Sequence, residues 1–135
     1  LRGPFVCIQE FLPNMLRNKW GRIINISSIG GQWGGVNQLH YAASKAALIN
    51  LTRSISKLYS SKGVICNAIS IGLVETDMTK NEIKTNLGLE KIKSIPCGRI
   101  GTVKDVSNVV NFLSSNNSNY ISGQTINVNG GMFFS

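Results

Sequence analysis

No apolar run in this chain approaches the ~20 residues that a bilayer-spanning helix needs. A charged leader with a cleavage site is also missing, because Leu1 begins mid-pattern. A cytoplasmic compartment is therefore expected, with organellar targeting left open. Cysteine is scarce: Cys7, Cys66 and Cys97 are odd in number and widely spaced, which argues against a disulfide set or a zinc site and predicts buried, reduced thiols. Acidic residues are few, six against 14 Lys and Arg, leaving a net charge of +8. The basic residues are scattered, with no dense run and no stacking aromatics beside them, so nucleic-acid binding is not favoured. An acidic carrier protein or a phosphate-bearing cofactor suits such a field as well. No G-x-G-x-x-G stands between a strand and a helix, so the pyrophosphate cradle of a dinucleotide-binding domain is absent. Neither an internal repeat nor a linker divides the chain.

What is present describes one globular unit. At 135 residues with 42% hydrophobic and 15% charged content, the chain is large and apolar enough to bury a core. Residues 1–18 carry Phe5, Ile8, Phe11, Leu12, Met15 and Leu16 at helical spacing, with Pro4 in the first turn and a kink expected at Pro13. Residues 22–27 read as a strand whose Ile23, Ile24 and Ile26 suit coverage on both faces. Residues 29–38 read as a glycine-rich loop, where Trp33 either lines a substrate mouth or anchors packing. A long helix follows over 39–60, with Leu48, Leu51, Ile55 and Leu58 as its stripe and Ala42, Ala43, Ala46 and Ala47 open to a close neighbour. Gly63 stops it, and residues 64–69 form a second strand. Residues 79–95 predict one or two short helices broken by Gly88. Thr102 caps a helix over 103–114 with Asp105 in its first turn, and 124–128 is the last strand. Strands alternating with helices predict an α/β fold with three parallel strands and flanking helices.

The chemistry gathers between Ser28 and Lys45. Tyr41 and Lys45 are four apart, so a helix sets them on one face. An ammonium held beside a phenol favours the phenolate by direct Coulomb attraction. Ser28 ends the first strand, and open α/β sheets bind ligands at that end.

These residues resemble the short-chain dehydrogenases/reductases. Ser28 with Tyr41-Ala42-Ala43-Ser44-Lys45 matches the family's Ser, Tyr and Lys in order and spacing, and Pro96 to Gly101 and Tyr120 to Gly131 resemble its later motifs. Within the family, residues 21–28 and 41–46 look most like the β-ketoacyl–acyl carrier protein reductases. The resemblance implies a Rossmann-type, doubly wound parallel sheet, of which residues 1–135 would be the C-terminal part, the pyrophosphate-binding half lying outside this chain. It implies carbonyl reduction by hydride transfer from NADPH, with NADH possible. Tyr41 would be the general acid, Lys45 would support it and hold the cofactor ribose, and Ser28 would bind the carbonyl oxygen. Gly72, Val74 and Thr76 would position the nicotinamide, although Ile71 stands where the family usually has proline. Residues 79–95 would form a lid over the substrate. Lys19 and Lys62 match the family's carrier-protein docking positions. A homodimer or homotetramer paired through the long helix and the one before it is expected. The alternatives are a relative acting on a sugar, steroid or small alcohol, and a non-catalytic scaffold.

Overall fold

The computed structural model describes residues 1–134. Its centre is a parallel sheet of β1 (Gly21–Ser28), β2 (Val64–Ile71) and β3 (Thr125–Val128), in that spatial order. The register pairs Gly21 with Val64 and Ser28 with Ile71, while Ile71 also pairs with Val128. All three strands thus finish in one row, and everything beyond that row shares one edge of the sheet. β2 is buried from Val64 to Ser70, as a central strand covered on both faces must be. Its two polar side chains are satisfied inside. Asn67 donates to the Ile121 carbonyl at 2.7 Å and accepts the Gln124 N–H at 3.0 Å, and Ser70 donates to Gln32 at 2.5 Å.

The helices α1 (Arg2–Arg17), α2 (Gly30–Trp33), α3 (Leu39–Tyr59) and α5 (Val103–Ser114) pack on this sheet, and α4 (Asn86–Lys93) packs against the turn before it. Ile8 of α1, Ile55 of α3 and Cys66 of β2 form a buried cluster, with Ile23, Leu51 and Tyr59 against it. α5 packs on β1 and opens with a capping box, in which Thr102 accepts the Asp105 N–H while Asp105 accepts the Thr102 N–H. Gly63 takes φ of 85° and turns the chain from α3 into β2. A Cβ there would fall 2.0 Å from the Lys19 carbonyl oxygen, so the residue must be glycine.

Several expectations change on folding. Gly88 does not break a helix: it is buried inside α4, where a Cβ would stand 2.2 Å from the Glu82 carbonyl oxygen. The glycine lets α4 close against the preceding turn, Glu82–Lys84. The 29–38 loop contains α2, formed as Gln32 and Trp33 donate back to the Ile29 carbonyl. α1 runs through Pro13 without ending. Leu58 leaves the stripe, 59% exposed, because Thr52 takes the inward position and Tyr59 packs beside Ile55. Only Cys66 is a buried thiol, since Cys7 on α1 and Cys97 in the turn after α4 are exposed. β1 is not covered as expected either: Ile26 is 40% exposed and, among the described residues, β1 has a strand partner on one side only.

Candidate active site

Ser28 is the last residue of β1, and the chain turns there into α2. The turn is fixed by the Gly30 N–H donating to Ser28 Oγ at 3.2 Å. That bond uses a lone pair of the serine and leaves its proton free. A Cβ placed on Gly30 would lie 3.6 Å from Ser28 Oγ and 3.8 Å from Cε1 of Tyr41. Hydroxyl and phenol ring therefore flank one point, and both line a cleft of 1190 Å³. Gly72 and Leu73, just beyond β2, form another part of its wall. The lining is largely apolar, from Ile29, Trp33, Val36, Leu39 and Met132. Its charged pair, Glu82 and Lys91, is closed on itself at 2.7 Å. Trp33 stands in this wall with its ring edge-on to Phe133, centroids 5.8 Å apart, so it both lines the mouth and packs.

Lys45 lies one turn along α3 from Tyr41, its Nζ 5.6 Å from the tyrosine ring centroid. β1 holds this turn of the helix twice. Ser27 Oγ donates to the Lys45 carbonyl at 2.8 Å, and Lys45 Nζ donates to the Ile26 carbonyl at 2.9 Å. The ammonium keeps two further N–H donors. Ser27 escaped the sequence reading; the strand's alternation, which sends it to the face opposite Ser28, was the available signal.

Val74 and Thr76 lie beyond Gly72 on the loop that leaves β2. Leu73 and Glu75 exchange hydrogen bonds with Gly101, the Leu73 carbonyl accepting at 3.0 Å and the Glu75 N–H donating at 2.9 Å. Val74 consequently turns its own N–H and C=O away from Gly101. Ile71, in place of proline, is the last residue of β2: its carbonyl accepts the Ile29 N–H at 3.1 Å, and Gly72 donates to Val128 at 3.0 Å. The loop is thus anchored by the sheet itself. Thr79 was also missed, although its hydroxyl contacts both Val74 and Thr76.

Lys19 and Lys62 come together, but not with Ser28. They flank the Gly21–Val64 end of the sheet, where the Gly21 N–H donates to the Gly63 carbonyl at 3.1 Å. Seven residue steps along β1 separate that end from Ser28, roughly 23 Å.

Among the described residues no group of three or more metal-ligating side chains occurs, and no helix is long and apolar enough to cross a membrane. Burial pushes the Cys66 thiol up to about 12, against a smaller opposing effect of its hydrogen bond with Thr52.

A parallel sheet with serine at a strand end, and Tyr-x-x-x-Lys on the helix beside it, defines a class, and residues 1–133 match the family model described as enoyl-(acyl carrier protein) reductase. The chain belongs to the short-chain dehydrogenase/reductase family. It is similar to the 3-oxoacyl-[acyl-carrier-protein] reductase FabG of Aquifex aeolicus, 45% identical over 137 residues, which cover 98% of this chain and 53% of that protein. The crystal structure of a 3-oxoacyl-[acyl-carrier protein] reductase from Brucella melitensis is similar with a TM-score of 0.92 and 30% identity, over 100% of this chain and 50% of the other. A gluconate 5-dehydrogenase from Burkholderia cenocepacia, in complex with NADP and tartrate, has a TM-score of 0.92 and 29% identity, over 98% and 52%. The chain spans about half the length of the curated relatives it matches.

Proposed function

We propose that the full-length protein is an NADPH-dependent 3-oxoacyl-[acyl-carrier-protein] reductase, and that residues 1–135 are the C-terminal part of its single Rossmann-type domain. The observation that carries the reading is that Ser28 and Tyr41 line one cleft, with Gly30 placing no side chain between the serine hydroxyl and the tyrosine ring. A substrate carbonyl oxygen entering that cleft between the two side chains receives a hydrogen bond from the free serine proton, which stabilises the charge developing on it. Tyr41 passes its proton to that oxygen as general acid. Lys45, positioned by Ser27 and Ile26, places positive charge behind the phenol ring and offers its remaining N–H donors to ribose hydroxyls. The reduced nicotinamide, when bound, supplies the hydride that the carbonyl carbon gains. Gly72, the Val74 backbone and the Thr76 hydroxyl are the residues proposed to hold it. They fit an amide, since the Val74 N–H has no hydrogen-bond partner among the described residues and faces away from Gly101.

The apolar wall of Trp33, Val36, Leu39 and Met132 favours an acyl chain. A polyhydroxy acid is the second reading, favoured by the likeness to the gluconate dehydrogenase. Acyl carrier protein is the proposed partner, drawn by the net charge of +8 and docking at Lys19 and Lys62. A carrier seated there reaches the cleft around the sheet or serves a neighbouring copy in a homodimer or homotetramer. The test is NADPH consumption by the full-length protein on a 3-oxoacyl thioester and on a keto-gluconate. Tyr41→Phe abolishes turnover with NADPH affinity retained; a variant keeping most of its activity removes Tyr41 from the acid role. Faster turnover of the sugar acid selects the second reading.

A further inference from the structure

Ser28, Tyr41, Lys45, Gly72, Val74 and Thr76 carry the catalytic and cofactor contacts proposed, yet the loop 72–79 is organised around a residue outside that set. Thr79 is half-buried, whereas Thr76 is exposed. The Thr79 hydroxyl donates to the Val74 carbonyl at 2.8 Å and accepts the Thr76 N–H at 2.9 Å. It also lies 3.2 Å from the Thr76 carbonyl and 3.2 Å from Thr76 Oγ1. The backbone adds a further tie, with the Thr79 N–H donating to the Thr76 carbonyl at 3.1 Å and lying 3.4 Å from Thr76 Oγ1.

A hydroxyl has one proton to give. At 2.8 Å the Val74 carbonyl is the shortest of the acceptors around Thr79 Oγ1, so the proton is committed there. In the contact between the two hydroxyls, Thr76 is then the donor and Thr79 the acceptor. With its own proton turned inward, the Thr76 oxygen presents a lone pair outward. Val74, clamped by Gly101 on one side and by Thr79 on the other, presents an N–H. One donor and one acceptor, two residues apart on one loop, match the C=O and NH₂ of a carboxamide in a single orientation.

We propose that Thr79 is a positioning residue that makes the Thr76 hydroxyl a hydrogen-bond acceptor, and so selects a carboxamide, in one orientation, at the nicotinamide site. The inference rests on the reductase reading above. It goes further by assigning polarity to each group and by naming the residue that sets it.

The experiment measures binding by cofactor fluorescence in the full-length protein, using NADPH and its reduced 3-acetylpyridine analogue. The analogue keeps the carbonyl and replaces the NH₂ with methyl, so it has nothing to offer an acceptor. Thr79→Val is expected to weaken NADPH binding about tenfold while changing analogue binding less than about twofold, because one net hydrogen bond is at stake. Thr79→Ser, which keeps the hydroxyl, stays within about twofold of the wild type on both cofactors. Thr76→Val loses the same selectivity, and combining it with Thr79→Val adds little, as expected of two groups acting as a unit. Equal weakening toward both cofactors makes Thr79 merely structural and overturns the proposal, as does undiminished NADPH binding by Thr79→Val. A wild-type protein that binds neither cofactor overturns the reductase reading itself, a result distinct from either.

Discussion

The backbone of Gly31 rests directly on that of Lys45: a Cβ at Gly31 would stand 2.7 Å from the Lys45 carbonyl carbon and 2.8 Å from the Ala46 nitrogen. Those are main-chain atoms in the middle of a helix and cannot swing aside. The short helix α2 and the turn of α3 that carries the ammonium therefore meet through a glycine. Gly31→Ala is expected to cost about 1–3 kcal/mol by overpacking and to displace Lys45 from Tyr41. Thermal melts and NADPH consumption of the full-length protein measure both effects. Gly30→Ala is the control for the melt alone, since its neighbours at 3.6 and 3.8 Å are ordinary contacts. A melting temperature unchanged in Gly31→Ala would contradict the packing described.

A buried polar relay joins the sheet to α3. Asn25 Nδ2 donates to Thr52 Oγ1 at 2.9 Å, and Thr52 passes its proton to the Leu48 carbonyl at 2.8 Å. Thr52→Val keeps the shape and leaves Asn25 with only a weak sulfur contact, 3.7 Å from Cys66 Sγ. The expected destabilisation is about 1–3 kcal/mol, read from denaturant midpoints. Thr52→Ser restores most of it.

Acid should loosen the start of α5. Hydrogen bonds from Arg99, then from the Thr102 hydroxyl and N–H, hold the Asp105 carboxyl well below the usual carboxylate range. A depressed folded value means that the stabilisation is fully present above the unfolded value, near pH 4. It is lost as pH falls from there through the folded value. Asp105→Asn should lose most of this acid dependence, and circular dichroism followed from pH 6 to pH 2 compares it with the wild type. Parallel titration of the two proteins would remove Asp105 from this role.

The three thiols should separate in reactivity. Cys7 and Cys97 are exposed, whereas Cys66 is fully buried with its titration pushed up to about 12. Iodoacetamide at pH 8 is expected to modify two cysteines in the native chain and the third only in denaturant, as peptide mass spectrometry reports. Native modification of Cys66 would show that β2 opens far more readily than a central strand should.

Much of this architecture was legible in the residues themselves. The Thr102–Asp105 cap and α5 fall at the predicted positions, because caps act over a few bonds, while Gly63 closes the 3-10 turn Ser60–Lys62 that follows the long helix rather than the helix itself. Ser28 with Tyr41 and Lys45 was likewise readable, since helix periodicity fixes one pair and the strand terminus fixes the third. Gly88 and Leu58 were misread for a common reason. Whether a glycine interrupts a helix or lets it pack, and whether a leucine points inward, depends on what lies across the gap.

The amino-acid sequence by itself determined where the three strands and the helices α1, α3 and α5 form, and which side chains share a helix face, because those are set by local sterics and by periods of two and 3.6 residues. Only the tertiary structure decided that Ser27 grips the Lys45 carbonyl, that Thr79 commits its proton to Val74, and that Lys19 and Lys62 gather at the end of the sheet away from Ser28. Each of these follows from strand register and from helix packing across the sheet, distances that no local pattern in the chain encodes.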